Sequence, residues 1–384
     1  MRTPTKFIFR AAALAIGINF CSLGFGAESV DEPKKEEPLP VVQIAILLDT
    51  SSSMSGLISQ AKTQLWKIVN EFISAKQDGK TPVVQVALYE YGNSATDAQN
   101  HYVRQLMPLS RDLDDVSEKL FGLTTRGGEE YCGAVIQTCL NDLKWDASLK
   151  TYKAIFIAGN EPFTQGPIEP IAVCRSAIAK GIIVNTIHCG ADRVGRNTSW
   201  EAGADAADGK YMVIDQNQSV TAIETPHDAE IVKLNKALND TYIYYGKKGE
   251  AGKLKQMEQD ENAEALAPVA VQNRVLTKAS ANYTNAAWDI VDASKHKDFD
   301  LSKVDAKDLP AEMRDMSVEE RKAHIAKVAA QRAEVQAKIL EVSKKRSAFI
   351  AEKSKESGEK DTLGAVVTKA VREQAAKKKI VWEK

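Results

Sequence analysis

The sequence predicts an α/β fold: a doubly wound, mostly parallel sheet in the first half of the chain, followed by an α-helical C-terminal region. Two observations predict this arrangement. Between residues 41 and 231, short apolar runs alternate with longer segments whose apolar residues recur at helical spacing, a pattern typical of parallel sheets covered on both faces. Beyond residue 231 glycines become sparse and Ala, Lys, Glu and Gln increase, which favours helices.

The elements of the first half follow from periodicity and turn residues. Apolar runs bounded by turns indicate buried strands, and Pro108 marks the third of them as an edge strand or its end. The predicted strands are 41–48, 83–91, 102–109, 152–158, 182–188 and 211–214, and the predicted helices between them are 57–73, 114–120, 131–143 and 169–180.

The second half reads as helices that end in a basic tail. We expect helices at 234–245, at 252–275 with an interruption at Pro268, at 285–294 and at 318–356. The last has an apolar seam at 3-4 spacing that predicts coiled-coil-like packing, although Arg332 and Arg346 fall on the seam. Like charges at an apolar seam are costly, so an antiparallel arrangement or packing within one chain, and a monomer, is expected. The tail, 369–384, is expected to be a solvated terminus.

The N-terminus has the layout of a secretory signal peptide. Three basic residues precede an apolar run that ends in small residues, so we assign 1–27 to the signal peptide and the acidic, proline-bearing stretch 28–40 to a linker. We therefore expect an exported protein, in the periplasm or outside the cell. No other segment is long and apolar enough to be expected to span a membrane.

Charge and cysteine content narrow the possible functions. After removal of 1–27 the chain would carry 48 Lys and Arg against 52 Asp and Glu, a balance that argues against a general nucleic-acid binder. Cys132 and Cys139 are too far apart along one predicted helix to bridge each other. Either of them could pair with Cys174 or Cys189, those two could pair together, or all four could be buried thiols.

The run Asp49-Thr50-Ser51-Ser52-Ser53 directly follows the first predicted strand. It lies at the carboxyl end of that strand, where open α/β sheets bind their ligands. One carboxylate and two hydroxyls at alternate positions are hard oxygen donors, which suit Mg²⁺. The sequence therefore predicts a divalent-cation site with Asp49, Ser51 and Ser53 as ligands.

Asp-x-Ser-x-Ser between a hydrophobic strand and an amphipathic helix resembles the metal-ion-dependent adhesion site of von Willebrand factor type A domains, here in an exported bacterial type of protein. The order and length of the elements from 41 to 231 are similar to those of this domain, and 232–384 would be a helical region that packs partly on it and exposes the long helix 318–356. The resemblance implies a site for Mg²⁺, or for Mn²⁺ or Ca²⁺, whose last ligand is a carboxylate or other oxygen from a partner protein.

Two positions depart from the family pattern. The family has a threonine in a Gly-Gly-Thr-like loop, where this chain has Gly127-Gly128-Glu129-Glu130, and Thr125 precedes the glycines. The family has an aspartate after the fourth strand, where this chain has Gly159 and Asn160. We expect Glu130 to supply the missing carboxylate, and Asn160 or Thr125 to contribute a neutral oxygen or a water contact. The alternative is a site that has lost its metal.

We therefore expect a protein-binding module of the cell envelope and not an enzyme. Two other function classes remain open. One is a scaffold protein with a degenerate metal site. The other is a hydrolase built on Glu129, Glu130 and Glu161, since paired carboxylates can perform acid–base chemistry.

Overall fold

The computed structural model describes residues 39–55, 57–214, 223–357 and 363–382. The predicted signal peptide, 1–27, and all but the last two residues of the predicted linker, 28–40, lie outside this part of the chain, as do residues 383–384 of the tail. Within the described residues, no helix combines the length and apolar character needed to cross a bilayer.

A mostly parallel six-stranded sheet forms the centre of the fold. The strands of the described residues, in chain order, are β1 Val41–Asp49, β2 Ala75–Gln77, β3 Val83–Tyr91, β4 Val103–Ser110, β5 Tyr152–Gly159, β6 Ile183–Cys189, β7 Tyr211–Ile214 and β8 Ile380–Trp382. β2 and β8 form a separate two-stranded sheet, and the other six form the central one. The sheet order is β4-β3-β1-β5-β6-β7. Only β4 is antiparallel to its neighbour among these six, and its place at one edge agrees with the expectation from Pro108.

Helices cover both faces of the sheet and build the C-terminal region. They are α1 Ile58–Asn70, α2 Leu113–Phe121, α3 Cys132–Asp142, α4 Pro170–Ala179, α5 Asp192–Asn197, α6 Trp200–Asp205, α7 Asp228–Asn239, α8 Gly249–Leu266, α9 Pro268–Lys278, α10 Ile290–Ala293, α11 Ala311–Arg314, α12 Val318–Ser357 and α13 Leu363–Ala376. Single 3-10 turns occur at Ser52–Met54, Ala98–Asn100, Leu301–Lys303 and Ala306–Asp308.

Alternation along β1 separates two hydrophobic cores. Ile44 and Ile46 face the core that includes α1 and α2, whereas Ala45 and Leu47 face the core that includes α3 and α4. Because successive side chains of a strand point to opposite faces, this division confirms the predicted sheet covered on both sides.

Buried ions join the C-terminal helices to the sheet layer. Arg274 of α9 pairs with Asp260 of α8 at 2.9 Å and with Asp114 of α2 at 2.6 Å, and Lys278 pairs with Asp260 at 2.6 Å. All four side chains are less than 10% exposed. The described residues, which begin at Leu39, accordingly form one compact unit.

Several predicted C-terminal boundaries were wrong. The predicted helix 234–245 begins at Asp228 and ends at Asn239, and Tyr244, beyond its end, forms a β-bridge with Asp289 instead. The predicted helix 285–294 is only Ile290–Ala293, with Asp289 as its N-cap. The break at Pro268 is confirmed, since α8 ends at Leu266 and α9 begins at Pro268.

The seam of α12 packs against its own chain. Ile325, Ile339 and Val342 are at most 5% exposed, and the helix lies on α7 and α9. Both seam arginines have partners in the same chain: Arg332 pairs with Asp289 at 2.7 Å, and Arg346 pairs with Asp228 at 2.7 Å.

The prediction of a solvated tail was wrong over the described residues. Val371 of α13 and Ile380 of β8 are fully buried. β8 pairs antiparallel with β2, and Gln374 accepts a hydrogen bond from the Tyr152 hydroxyl at 2.8 Å. Between the lysines, apolar residues recur at helical spacing, and this apolar face packs against the sheet layer.

Candidate functional site

Four loops meet at the carboxyl edge of the sheet around Asp49, the last residue of β1. They follow β1, β3 and β5, and the fourth, 122–131, connects α2 to α3. β1 lies between β3 and β5 and runs parallel to both, so the loops after these strands emerge at the same edge. This topology brings together residues far apart in sequence.

Asp49 is fully buried and one of its oxygens has no partner. Oδ1 accepts a hydrogen bond from the Ser51 backbone N–H at 2.7 Å, and the nearby Asn160 backbone N–H lowers the pKa of the carboxyl. Oδ2 accepts no hydrogen bond from any described residue. Burial raises the pKa of Asp49 to about 7, against the lowering effect of the bonds from Ser51, and the nearby Glu130 raises the pKa further.

Ser51, Ser53 and Asn160 form a chain of neutral oxygens beside Asp49. The hydroxyl oxygens of Ser51 and Ser53 are hydrogen-bonded at 2.8 Å. The Ser53 hydroxyl donates to the Asn160 amide oxygen at 3.0 Å. Ser51 is 1% exposed, whereas Ser53 is exposed, so the chain leads from the buried carboxylate to the surface.

Glu130 lies beside Asp49. Burial raises the pKa of its carboxyl, and this outweighs the lowering effect of the nearby Ser51 side chain. Gly92 shows how close the two acids are. A Cβ atom built on Gly92 would lie 2.8 Å from Asp49 Oδ1 and 2.9 Å from Glu130 Cγ. The expected approach of a second carboxylate to Asp49 is therefore present in the structure.

Thr125 differs from the other predicted ligands. It is half-buried in the 122–131 loop, and the neighbouring Arg126 backbone N–H donates to the Thr50 carbonyl at 2.9 Å. Among the described residues, its hydroxyl makes no hydrogen bond to Asp49 or to the other predicted ligands. The loop that carries Thr125 reaches the site, but the residue of this loop that lies beside Asp49 is Glu130 and not Thr125.

Sequence reasoning missed the loop after β3. Gly92 has a φ of +77°, which a side chain would strain, and its missing side chain leaves room for Asp49 and Glu130. Asn93 donates to the Thr50 hydroxyl at 3.3 Å and to the Thr124 carbonyl at 3.1 Å. The available signal was Gly-Asn directly after the strand that pairs with β1.

Two further glutamates flank the site. The Gln165 side chain donates to Glu129 at 3.1 Å and to Glu130 at 3.3 Å. The Asn160 side chain donates to Glu161 at 3.4 Å, and the charge of Glu161 contributes to the raised pKa of Glu130. The described residues contain no group of three or more His, Cys, Asp or Glu side chains placed to hold a metal. A cation here would depend on two carboxylates and neutral oxygens.

The four described cysteines are free and buried. Burial raises the pKa of each thiol, and a protonated, inaccessible thiol is a poor nucleophile and a poor metal ligand. Of the alternatives left open by the sequence, the structure shows the buried thiols: Cys132, Cys139, Cys174 and Cys189.

Comparison of the sequence with known domains identifies the first half of the chain. The profile of the von Willebrand factor type A (VWA) domain matches residues 43–222. The chain contains a VWA domain. Such domains are protein-interaction modules, often with a metal site, and are typically not enzymes. No curated protein matches the chain.

Solved structures similar to this chain include other VWA proteins. BatB from Bacteroides thetaiotaomicron is 15% identical, with 45% of this chain and 90% of that chain covered and a TM-score of 0.36. The SpRpn10 VWA domain is 16% identical, with 47% and 91% covered and a TM-score of 0.37. Proximal thread matrix protein 1 from the mussel byssus, described with a zinc-occupied MIDAS motif, is 13% identical, with 47% of this chain and 43% of that chain covered and a TM-score of 0.37.

The residues around Asp49 fit a divalent cation. Asp49 Oδ2 is a buried oxygen without a partner, which is costly unless another group satisfies it. The nearby donors are carboxylate, hydroxyl and amide oxygens, the set that Mg²⁺, Mn²⁺ and Ca²⁺ prefer. Asp49, Ser51 and Ser53 would hold the ion from the β1 loop, and Glu130 and Asn160 from the neighbouring loops.

Proposed function

We propose that this chain is an exported protein-binding module of the cell envelope whose VWA domain engages a partner protein through a divalent cation. Asp49, Ser51, Ser53, Glu130 and Asn160 would hold the cation. It would supply a Lewis-acidic binding point for a carboxylate or other oxygen of the partner. Mg²⁺ suits the hard oxygen donors, with Mn²⁺ and Ca²⁺ as alternatives.

The single observation that carries the proposal is the unpartnered Oδ2 of Asp49. A fully buried carboxylate oxygen without a hydrogen bond is unfavourable in a folded protein. Its position at the carboxyl edge of the sheet, beside Glu130, places two acidic groups together. A bound cation would satisfy Oδ2 and relieve the repulsion between the two carboxylates.

The neutral side chains place their oxygens at defined positions relative to Asp49. Ser51 is held through its backbone N–H by Asp49, so its hydroxyl has a fixed position next to the carboxylate. Ser53 and Asn160 lie farther out and bind each other. Because Ser53 is exposed, a partner would approach the cation from the side of the site on which Ser53 lies.

Export is part of the proposal and rests on the sequence of residues 1–27. The basic start, the apolar run and the small residues at its end are typical of a secretory signal. The partner is therefore sought in the periplasm or at the cell surface.

Affinity capture from envelope extracts tests the proposal. The mature wild-type protein is used as bait in Mg²⁺ and again in EDTA, beside Asp49→Asn and the matched control Asp142→Asn, which removes an exposed carboxylate at the end of α3. We expect the same partner with wild type and Asp142→Asn in Mg²⁺ only. Capture that is indifferent to EDTA and to Asp49→Asn would contradict the metal-dependent function and favour a scaffold role.

A further inference from the structure

An acidic rim, defined here as Glu129 and Glu161, flanks Asp49 and Glu130. Glu129 is exposed and Glu161 is half-buried. Gln165 holds Glu129 at 3.1 Å and also touches Glu130, while Asn160 holds Glu161 at 3.4 Å. The rim therefore belongs to the same two loops as Glu130 and Asn160 of the candidate metal site.

Amides, not cations, hold the two rim carboxylates. Among the described residues neither Glu129 nor Glu161 forms an ion pair, and their side-chain partners are Gln165 and Asn160. Buried Glu90, near the end of β3, differs from them because it is paired with Arg104. The negative charge of the rim is therefore left for a molecule that approaches from solvent.

A second, independent feature points to a ligand at this place. Asp49 is fully buried and its Oδ2 has no hydrogen-bond partner among the described residues. A Cβ atom on Gly92 would meet both Asp49 Oδ1 and Glu130 Cγ, so the Asp49 carboxylate lies beside Glu130, the neighbour of Glu129 in the chain. The rim therefore flanks the buried oxygen at which we propose that a cation binds.

Charge then determines which partner fits. The charges of Asp49 and Glu130 would balance a divalent cation, so a carboxylate from the partner would add a net negative charge next to Glu129 and Glu161. Like charges in close proximity disfavour binding. A lysine or arginine beside the partner's ligating carboxylate would remove this penalty by pairing with the rim.

Resting on the proposed metal-dependent function, we propose that the acidic rim selects a basic protein segment, in which Lys or Arg residues flank the acidic residue that binds the cation. Glu129 and Glu161 are then specificity-determining residues. They receive the flanking cations while the metal receives the carboxylate. The partner is a protein surface of mixed charge with a local basic excess.

Three synthetic peptides with blocked ends test this proposal: Lys-Gly-Asp-Gly-Lys, Gly-Gly-Asp-Gly-Gly and Glu-Gly-Asp-Gly-Glu. Their affinities for the mature protein are measured in Mn²⁺ at low ionic strength by Mn²⁺-induced broadening of the peptide NMR signals. We expect the lysine peptide to bind roughly fivefold more tightly than the neutral peptide, as is reasonable for partly exposed ion pairs, and the glutamate peptide to bind least. Salt should reduce the difference.

The double variant Glu129→Gln/Glu161→Gln removes the rim charge without removing Asp49 or Glu130. We expect it to bind Mn²⁺ like wild type and to lose the preference for the lysine peptide. The control Glu312→Gln/Glu319→Gln removes the same charge at two exposed positions in the C-terminal region and should keep the preference.

The outcomes separate the two proposals. Absence of Mn²⁺ binding by wild type would overturn the proposed function. Normal Mn²⁺ binding with equal affinities for the three peptides, with no peptide binding, or with a preference that survives in the rim variant would overturn the rim inference alone. Calorimetry with the same peptides in EDTA gives the metal-free affinities; a preference for the lysine peptide that is unchanged there would contradict a metal-bound carboxylate.

Discussion

Ser53 donates its hydroxyl hydrogen to the Asn160 amide oxygen at 3.0 Å, although 107 positions separate them in the sequence. This bond joins the loop after β1 to the loop after β5. It exists because β1 and β5 are adjacent and parallel, so their carboxyl ends lie side by side. A residue that departs from the family pattern, Asn160, is thereby placed beside the Asp-x-Ser-x-Ser motif.

Glu130→Gln is expected to weaken Mn²⁺ binding without unfolding the protein. The substitution keeps the size of the side chain and removes the second negative charge next to Asp49, so the affinity should fall by about tenfold or more, as for loss of one charged ligand. Isothermal calorimetry measures the change. Glu129→Gln is the matched control and should leave Mn²⁺ affinity within about twofold, because an exposed charge contributes little; equal effects of the two substitutions would remove Glu130 from the site.

Gly92→Ala is expected to damage the site more than an equivalent substitution elsewhere. Gly92 and Gly79 share a φ of +77°, but a Cβ on Gly92 would meet Asp49 and Glu130, whereas a Cβ on Gly79 has nothing within 4 Å. Gly79→Ala should therefore cost about 1 kcal/mol of folding free energy from backbone strain alone. Gly92→Ala should cost more and also weaken Mn²⁺ binding.

Urea unfolding and Mn²⁺ calorimetry on both glycine variants check this expectation. Similar stabilities together with unchanged Mn²⁺ binding by Gly92→Ala would show that Asp49 and Glu130 do not need the space beside Gly92.

The sheet and the first motif could be predicted from sequence because their signals are local. β3 and β7 have the predicted bounds, 83–91 and 211–214, since continuous apolar runs are distinctive. Asp49, Ser51 and Ser53 could be singled out because they follow such a run. In each case the local sequence alone is sufficient for the prediction.

Other parts depend on contacts that no local pattern reveals. Gly92 and Gln165 enter the site only because of which loops become neighbours. Tyr244 looks helical by spacing, but its bridge to Asp289 lies in a different segment. The lysines of the tail predict a solvated terminus, although Val371 and Ile380 are buried against distant elements. In these segments tertiary packing, and not the local sequence, determines the structure.

Arg332→Met is expected to destabilise the protein by about 3 kcal/mol, because it leaves buried Asp289 without its cation. Arg332 is 2% exposed and pairs with Asp289 at 2.7 Å. The free energy of unfolding is measured in urea. Lys338→Met on the same helix is the control, since Lys338 is exposed and pairs with the exposed Glu334; it should change stability by less than about 0.5 kcal/mol. Equal stabilities of the two variants would contradict the importance of this buried pair.

Acid should destabilise the protein through Asp260. Burial alone would raise the pKa of Asp260, but the charges of Lys278 and Arg274 outweigh it and lower the pKa to about 2. Since the pKa in the unfolded chain is higher, near the ordinary 3.8, this carboxylate stabilises the fold above pH 4. That stability, about 2 kcal/mol from 1.36 kcal/mol per pKa unit, is lost as the pH falls from about 4 to 2.

Urea unfolding of wild type and Asp260→Asn between pH 7 and pH 2 measures this contribution. The variant should be less stable at pH 7, and the difference should shrink below pH 4. A difference that stays constant with pH would show that ionisation of Asp260 does not stabilise the fold.

Calorimetric titration of Mg²⁺ and Mn²⁺ into the mature wild-type protein and into Asp49→Ala tests the central claim most directly. The titration extends to millimolar metal, and circular dichroism confirms that both proteins are folded. Wild type should give saturable heat for at least one of the two ions, and Asp49→Ala should give none. Equal heats from the two proteins, or no saturable heat from wild type at millimolar metal, would contradict a cation site built on Asp49.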